Sequence, residues 1–246
     1  MEYSVARNGM VDSLEHDSKG VVQSEAVADA MRTVPRHEFV EGDHRAYTDQ
    51  SFEHRGTRVL SPSLAGVLVE ALDVRPGDSV LVVGAGVGYT VGVIAELAGA
   101  RHVHAVDIAR RLVYEARDNL ASAGYDEVLV DCGDGARGLR EYAPFDRILV
   151  EAGAVRPPGM LIRQLAEDGR LVMPLGSGAQ ALAAVEDGEV VEEFGRVAFD
   201  PLLVDGEQSG VPVRNRTVRE DRERASRAAE SRRGWEQEWI DWESQL

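Results

Sequence analysis

Gly84-Ala85-Gly86-Val87-Gly88 is the segment of this 246-residue chain best suited to holding a small charged ligand. It follows the apolar run SVLVV (79–83) and precedes VGVIAELAG, a helical run closed by Gly99. Glycines at such a turn let the chain reverse tightly and let a ligand approach the peptide groups. The free N–H groups at a helix start favour a carboxylate or phosphate. Asp107 ends the next apolar run, HVHAVD, at the distance where an acid binds ribose hydroxyls. A dinucleotide fingerprint, GxGxxG, would need glycine where Tyr89 stands. The spacing therefore suits S-adenosylmethionine better, which has one ribose, one adenine, one carboxylate and no pyrophosphate. Asp134 and Gly135 follow the run EVLVDC. Asp134 is a candidate acceptor for an adenine amino group, or a plain turn residue.

These residues need a scaffold that brings their strand ends together. Short apolar runs alternate with helical patterns from residue 79 to about 176: SVLVV, then HVHAVD, EVLVDC, FDRILV and RLVMPL, separated by helical segments. That alternation predicts an α/β, doubly wound, Rossmann-like parallel sheet, which binds ligands outside the carboxyl ends of its strands. Residues 180–204 read as a hairpin turning at Asp187-Gly188. Upstream, Val22, Ala26, Ala28 and Met31 have helical spacing, and Pro35 ends that helix. Residues 36–58 read as loop with short structure, and Pro62 opens a second apolar helix. The expected organisation is an N-terminal helical and substrate-loop region (1–76), a cofactor-binding core (77–212) and a charged tail (213–246). Eight arginines lie between Arg214 and Arg233, and Trp235, Trp239 and Trp242 would share one face of a helix. That face either docks on its own domain or meets a partner or a second copy.

Composition narrows the function. Acids outnumber bases 43 to 27, a net charge of -16, which argues against a general nucleic-acid or anionic-membrane binder. Lys19 is the only lysine. An acid-rich, lysine-poor chain is expected of a protein working in high salt, where ions screen its self-repulsion, although a GC-rich genome also favours arginine over lysine. The first 20 residues lack an apolar signal region, so a cytoplasmic protein is expected. One cysteine, Cys132, rules out an intramolecular disulfide framework and is expected to be buried. His102 and His104 alternate on one strand face, with no third metal ligand nearby in sequence. Glu151, after FDRILV, faces the predicted cofactor side, where it either touches the methionine amine or serves as a spacer.

Together these segments resemble the protein-L-isoaspartate O-methyltransferase family. VADAMRTVPRHEFV and AYTDQ resemble its N-terminal signature, and VLVVGAGVGYTVGVIAELAG its cofactor turn. GDGARGL, APFDRILVEAGA and LIRQLAEDGRLVMPLG resemble its later motifs. The resemblance implies a seven-stranded methyltransferase sheet with S-adenosylmethionine over Gly84, Gly86, Gly88, Asp107 and Asp134. It implies that damaged proteins present an isoaspartyl carboxylate near the loop before Pro62. The chain departs from the family in that loop. It reads Gly56-Thr57-Arg58-Val59-Leu60-Ser61-Pro62, where the family typically reads glycine, glutamine, threonine, isoleucine, serine, alanine, proline. Leu60 thus occupies the active-site serine position, and Ser61 is the nearest hydroxyl that would replace it. Val82 stands where the family carries an acid before the glycine turn.

An isoaspartyl carboxylate has a pKa of roughly 4, so it is ionised at neutral pH and attacks a methyl sulfonium without a general base. On that resemblance the protein's task would be to orient and desolvate it. Arg58 is a candidate carboxylate clamp, and Asp49 either shapes the substrate pocket or caps a turn. Two rival readings stay open: the same fold with a tRNA base or small molecule as acceptor, and a non-catalytic protein that binds cofactor or damaged protein.

Overall fold

The computed structural model describes residues 2–16, 19–40 and 45–204. The charged segment 213–246, including Trp235, Trp239 and Trp242, lies outside the described residues.

The chain begins with helix α1 (Glu2–Glu15), which buries Met10, Val11 and Leu14. Helix α2 (Glu25–Thr33) is capped by Ser24, whose hydroxyl accepts from Val27 N–H, and it stops before Pro35. A small antiparallel hairpin follows, β1 (Phe52–His54) and β2 (Thr57–Val59), inside the segment expected to be mostly loop. Helix α3 (Pro62–Leu72) starts with proline in its first turn, where the missing N–H costs nothing. Glu70 of α3 accepts from both Ser24 N–H and Ser24 Oγ–H, which fastens α3 to the start of α2.

The α/β core then runs β3 (Val80–Val83), α4 (Tyr89–Ala98), β4 (Val103–Asp107), α5 (Arg110–Ser122), β5 (Leu129–Cys132), β6 (Phe145–Val150), the short α6 (Gly159–Ile162) and β7 (Leu165–Leu175). It ends in the hairpin β8 (Gln180–Glu186) and β9 (Glu189–Val197). The seven-stranded sheet has the order β5-β4-β3-β6-β7-β8-β9. Pairing is parallel from β5 to β7 and antiparallel across β7–β8 and β8–β9. The doubly wound expectation holds, with an antiparallel hairpin added at one edge.

Alternation along the strands builds two cores. Val80 and Val82 pack with the α1–α4 layer, while Leu81 and Val83 face the opposite layer with Phe145 and Leu161. All four residues of β3 are buried, as expected for a central parallel strand. The N-terminal helices share their core with the sheet. The chain reaches β5 at one edge and returns to β6 on the far side of β3. That reversal opens a crevice at the carboxyl end of β3, flanked by the ends of β4 and β6.

Candidate active site

Gly84 and Gly86 have φ of +91° and +54°, values in the left-handed region that favours glycine. Their turn carries the chain off β3 and into α4. Asp107, at the end of β4, fixes it from the side. The Gly86 N–H donates to Asp107 Oδ2 over 3.0 Å, and the Ala109 N–H donates to Oδ1 over 2.8 Å. Asp107 is only 8% exposed. Burial pushes its carboxyl above the usual aspartate range, and the two backbone donors pull it back part of the way. Each oxygen has a further acceptor position for a ligand hydroxyl.

A cleft opens here. Gly84, Gly86, Asp107, Gly135 and Glu151 line it from the sheet side, with Arg58 and Leu60 opposite. A second, smaller cavity continues past Leu60 to Arg36, Tyr89 and Thr90. Arg58, Leu60, Gly86 and Glu151 line both spaces and so form the neck between them.

The loop before Pro62 is held from beneath by a residue that the sequence reading missed. Arg36 is 1% exposed; its Nε donates to Ala46 O over 2.8 Å and its Nη2 to Leu60 O over 2.6 Å. Its guanidinium lies 4.3 Å from the centre of the Tyr89 ring. The β1–β2 hairpin is tied to α5 by His54 Nε2 against Glu115 Oε1 at 2.5 Å and by a contact between Arg111 and the Arg55 carbonyl. Arg58 is exposed on this hairpin. Leu60 is buried, with its carbonyl taken by Arg36.

Ser61 is placed differently from the expectation of a substrate-orienting hydroxyl. It is the N-cap of α3: its Oγ accepts from Leu64 N–H at 3.2 Å and lies 3.2 Å from Ser63 Oγ. It lines neither cavity. Asp49 is also committed to this helix start, accepting from Ser63 N–H at 2.9 Å and pairing with Lys19 at 2.7 Å. Burial raises the Asp49 carboxyl, but Lys19 and Ser63 outweigh it and hold it below the usual range.

Asp134 accepts from Ala136 N–H at 2.9 Å and sits 3.6 Å from Arg137 Nε. Gly135, beside it, lines the cleft. A side chain on Gly135 would meet Val83 Cγ1 at 2.3 Å, so this wall passes close against β3. Gly88 lines the smaller cavity and caps α4. The segment 199–203 after β9 closes the far side of the cleft; Leu202 N–H donates to Gly153 O and Gly153 N–H to Asp200 O. This lining role goes beyond the hairpin arm expected of residues 180–204. Cys132 is exposed at the end of β5, which corrects the expectation of burial. His104 packs against Tyr142 and Phe145. Among the described residues no cluster of His, Cys, Asp or Glu is arranged to hold a metal ion.

The polar groups match an amino-acid nucleoside. Asp107 offers acceptors for ribose hydroxyls. Arg36, Tyr89 and Glu151 line the second cavity, and Glu151 Oε1 is buried there without a close hydrogen bond, while Arg36 interacts with Tyr89 and the Glu151 carboxyl with Thr90. An acid and a guanidinium lining one cavity fit a group carrying an ammonium and a carboxylate.

A mainly parallel sheet with this strand order, closed by an antiparallel hairpin, with a glycine turn after its central strand and an acid at the neighbouring strand's end, has the architecture of the Rossmann-like methyltransferases. Comparison with known proteins narrows this. The family profile described as Protein-L-isoaspartate(D-aspartate) O-methyltransferase (PCMT) matches residues 6–207. The chain belongs to this family of S-adenosylmethionine-dependent enzymes. A protein-L-isoaspartate O-methyltransferase of Methanopyrus kandleri is 43% identical over 208 residues, covering 80% of this chain and 91% of the relative. One of Aeropyrum pernix is 42% identical over 212 residues, covering 82% and 80%. A crystal structure of a putative protein-L-isoaspartate O-methyltransferase from Plasmodium falciparum, in complex with S-adenosyl-L-homocysteine, shares the fold. Its TM-score is 0.71 at 20% identity, over 80% of this chain and 98% of that one.

Proposed function

We propose that this protein transfers a methyl group from S-adenosylmethionine to the carboxylate of L-isoaspartyl residues in damaged proteins or peptides. Family membership over residues 6–207 is the observation that carries the reading. The cleft adds chemical sense to it. Bound there, S-adenosylmethionine supplies a methyl group on a positively charged sulfur.

Asp107 receives the ribose hydroxyls, while the Gly84–Gly88 turn and Gly135 form the floor. Arg58, exposed at the neck, draws the substrate carboxylate in. Leu60 presents an apolar wall in place of a hydroxyl and keeps water from the neck. Ionised at neutral pH, the acceptor needs no base within the protein. Its oxygen forms the new C–O bond as the C–S bond breaks, and the electron pair leaves on sulfur. The following backbone nitrogen then attacks the ester carbonyl and expels methanol. Water opens the resulting succinimide, partly to normal aspartate.

Among the described residues no helix is long and apolar enough to cross a membrane. A high-salt setting is the reading that the acidic, lysine-poor composition supports.

The test is repair itself. An isoaspartyl peptide incubated with the protein and S-adenosylmethionine in molar potassium chloride should convert progressively to its aspartyl isomer, as followed by chromatography. Methyl transfer confined to a tRNA or a small molecule would replace this reading, and cofactor binding without any transfer would favour the non-catalytic alternative.

A further inference from the structure

Glu151 is the group at this site with the least explained chemistry. It follows β6, whose Leu149 pairs in register with Val82 of β3. Side chains two residues apart share a sheet face, so Glu151 continues the row that holds Leu149 beside Val82. It abuts the glycine turn: a Cβ on Gly84 would lie 3.5 Å from Glu151 Cβ. Its backbone is fixed by the Glu151 N–H donating to Val83 O over 2.8 Å. One carboxyl oxygen, Oε1, is buried without a hydrogen bond among the described residues. The residue lines both the main cleft and the smaller cavity.

We propose that Glu151 holds the α-ammonium group of the methyl donor, and thereby replaces, from the neighbouring strand, the acid that the family carries at the position of Val82. This rests on the donor assignment made above. Thr90 serves the carboxyl, but Oε1 is left buried without a close donor, which is costly, and a cationic donor is the partner that satisfies it best. The buried guanidinium of Arg36, which lines the same small cavity, places a positive charge on the side where the donor's carboxylate would lie.

The ionisable surroundings of Glu151 are Asp107 at the end of β4, Tyr89 on α4, Arg58 on β2, Arg36 after α2 and Asp200 after β9; Thr90 on α4 adds a hydroxyl. Burial pushes the Glu151 carboxyl up to about 8, a side-chain hydrogen bond with Thr90 acts against this, and the Asp107 charge adds to it. A group that is protonated when the site is free and ionised against an ammonium must release its proton on binding.

Two probes separate this contact from the rest of the site. S-adenosylhomocysteine carries the amino-acid end, and 5′-methylthioadenosine lacks it. With the full chain in molar potassium chloride, Glu151→Gln is expected to weaken S-adenosylhomocysteine roughly 10–100-fold and leave 5′-methylthioadenosine unchanged. Calorimetry at neutral pH in buffers of different ionisation heat should show the wild type releasing about one proton per S-adenosylhomocysteine bound, and Glu151→Gln close to none. Equal affinities in wild type and variant, an equal loss for both probes, or binding by the wild type without proton release would overturn the inference and leave the donor assignment standing. A wild type that binds neither probe would overturn both.

Discussion

The Gly86 N–H donates to Asp107 Oδ2 over 3.0 Å, so the glycine turn and the acid at the end of β4 form one unit. The turn that would carry the donor is shaped by the same carboxylate that would hold the donor's sugar. Asp107→Ala removes both contributions. The rise in unfolding temperature that S-adenosylhomocysteine gives the wild type should largely disappear, reflecting an affinity loss of roughly tenfold or more. A shift of undiminished size would remove Asp107 from the cofactor site.

Leu60 stands at the neck of the cleft, at the position where the resemblance places the family's serine. Its carbonyl is already pinned by Arg36, so a hydroxyl introduced there would start from a fixed backbone. Leu60→Ser should raise kcat/KM on an isoaspartyl peptide, by up to about 100-fold if the hydroxyl acts as one orienting donor. An unchanged rate would show that orientation in this protein runs through other groups, with Arg58 the first to examine by Arg58→Ala.

Ser61 is the cap of α3, and its removal should be read in stability. Ser61→Ala is expected to cost about 1 kcal/mol in chemical denaturation, the usual value for losing an N-cap. Methyl transfer per folded molecule should be retained. Loss of transfer with unchanged stability would restore Ser61 to the reacting centre.

Glu151 also leaves a mark on stability. Its carboxyl is raised from 4.5 to about 8 in the folded chain, so the native state holds a proton that the unfolded state gives up. The stability tied to that proton is fully present below the unfolded pKa and is lost as pH rises through the folded one. The ligand-free wild type should therefore lose unfolding temperature between about pH 5 and pH 8 relative to Glu151→Gln. Parallel curves for the two proteins across that window would show that the carboxyl is ionised throughout.

The net charge of -16 sets the salt response. Unfolding temperature should climb as potassium chloride is raised from dilute to molar, because screening relieves repulsion among the acids. Glu189, Glu192 and Glu193 on the exposed edge strand β9 contribute to that repulsion, although Glu192 is paired with Arg170. A flat or falling temperature would sink the high-salt reading.

What the sequence revealed was local. The Gly84–Gly88 turn, Asp107 and the hairpin turn at Asp187-Gly188 were legible because their chemistry is written within a few residues or at a fixed spacing. Helix α1 was not, since only Met10, Val11 and Leu14 are buried on an otherwise polar segment. The Arg36–Leu60 bond spans 24 residues, and no periodicity announces it. Pro35-Arg36 within the resembling segment VPRHEFV was the available hint. The wall formed by 199–203 depends on pairing with Gly153, a contact that exists only once the sheet has formed. Ser61 looked chemical because it sits beside the family's serine position. Its place immediately before Pro62 at a helix start was the stronger signal, and it indicated a cap.

The most direct measurement follows labelled methyl from S-adenosylmethionine into two peptides that differ only in one isoaspartyl or aspartyl linkage, in molar potassium chloride. The account predicts base-labile methyl ester on the isoaspartyl peptide and background on the other. Equal labelling of both, or label on neither while S-adenosylhomocysteine still binds, would contradict it.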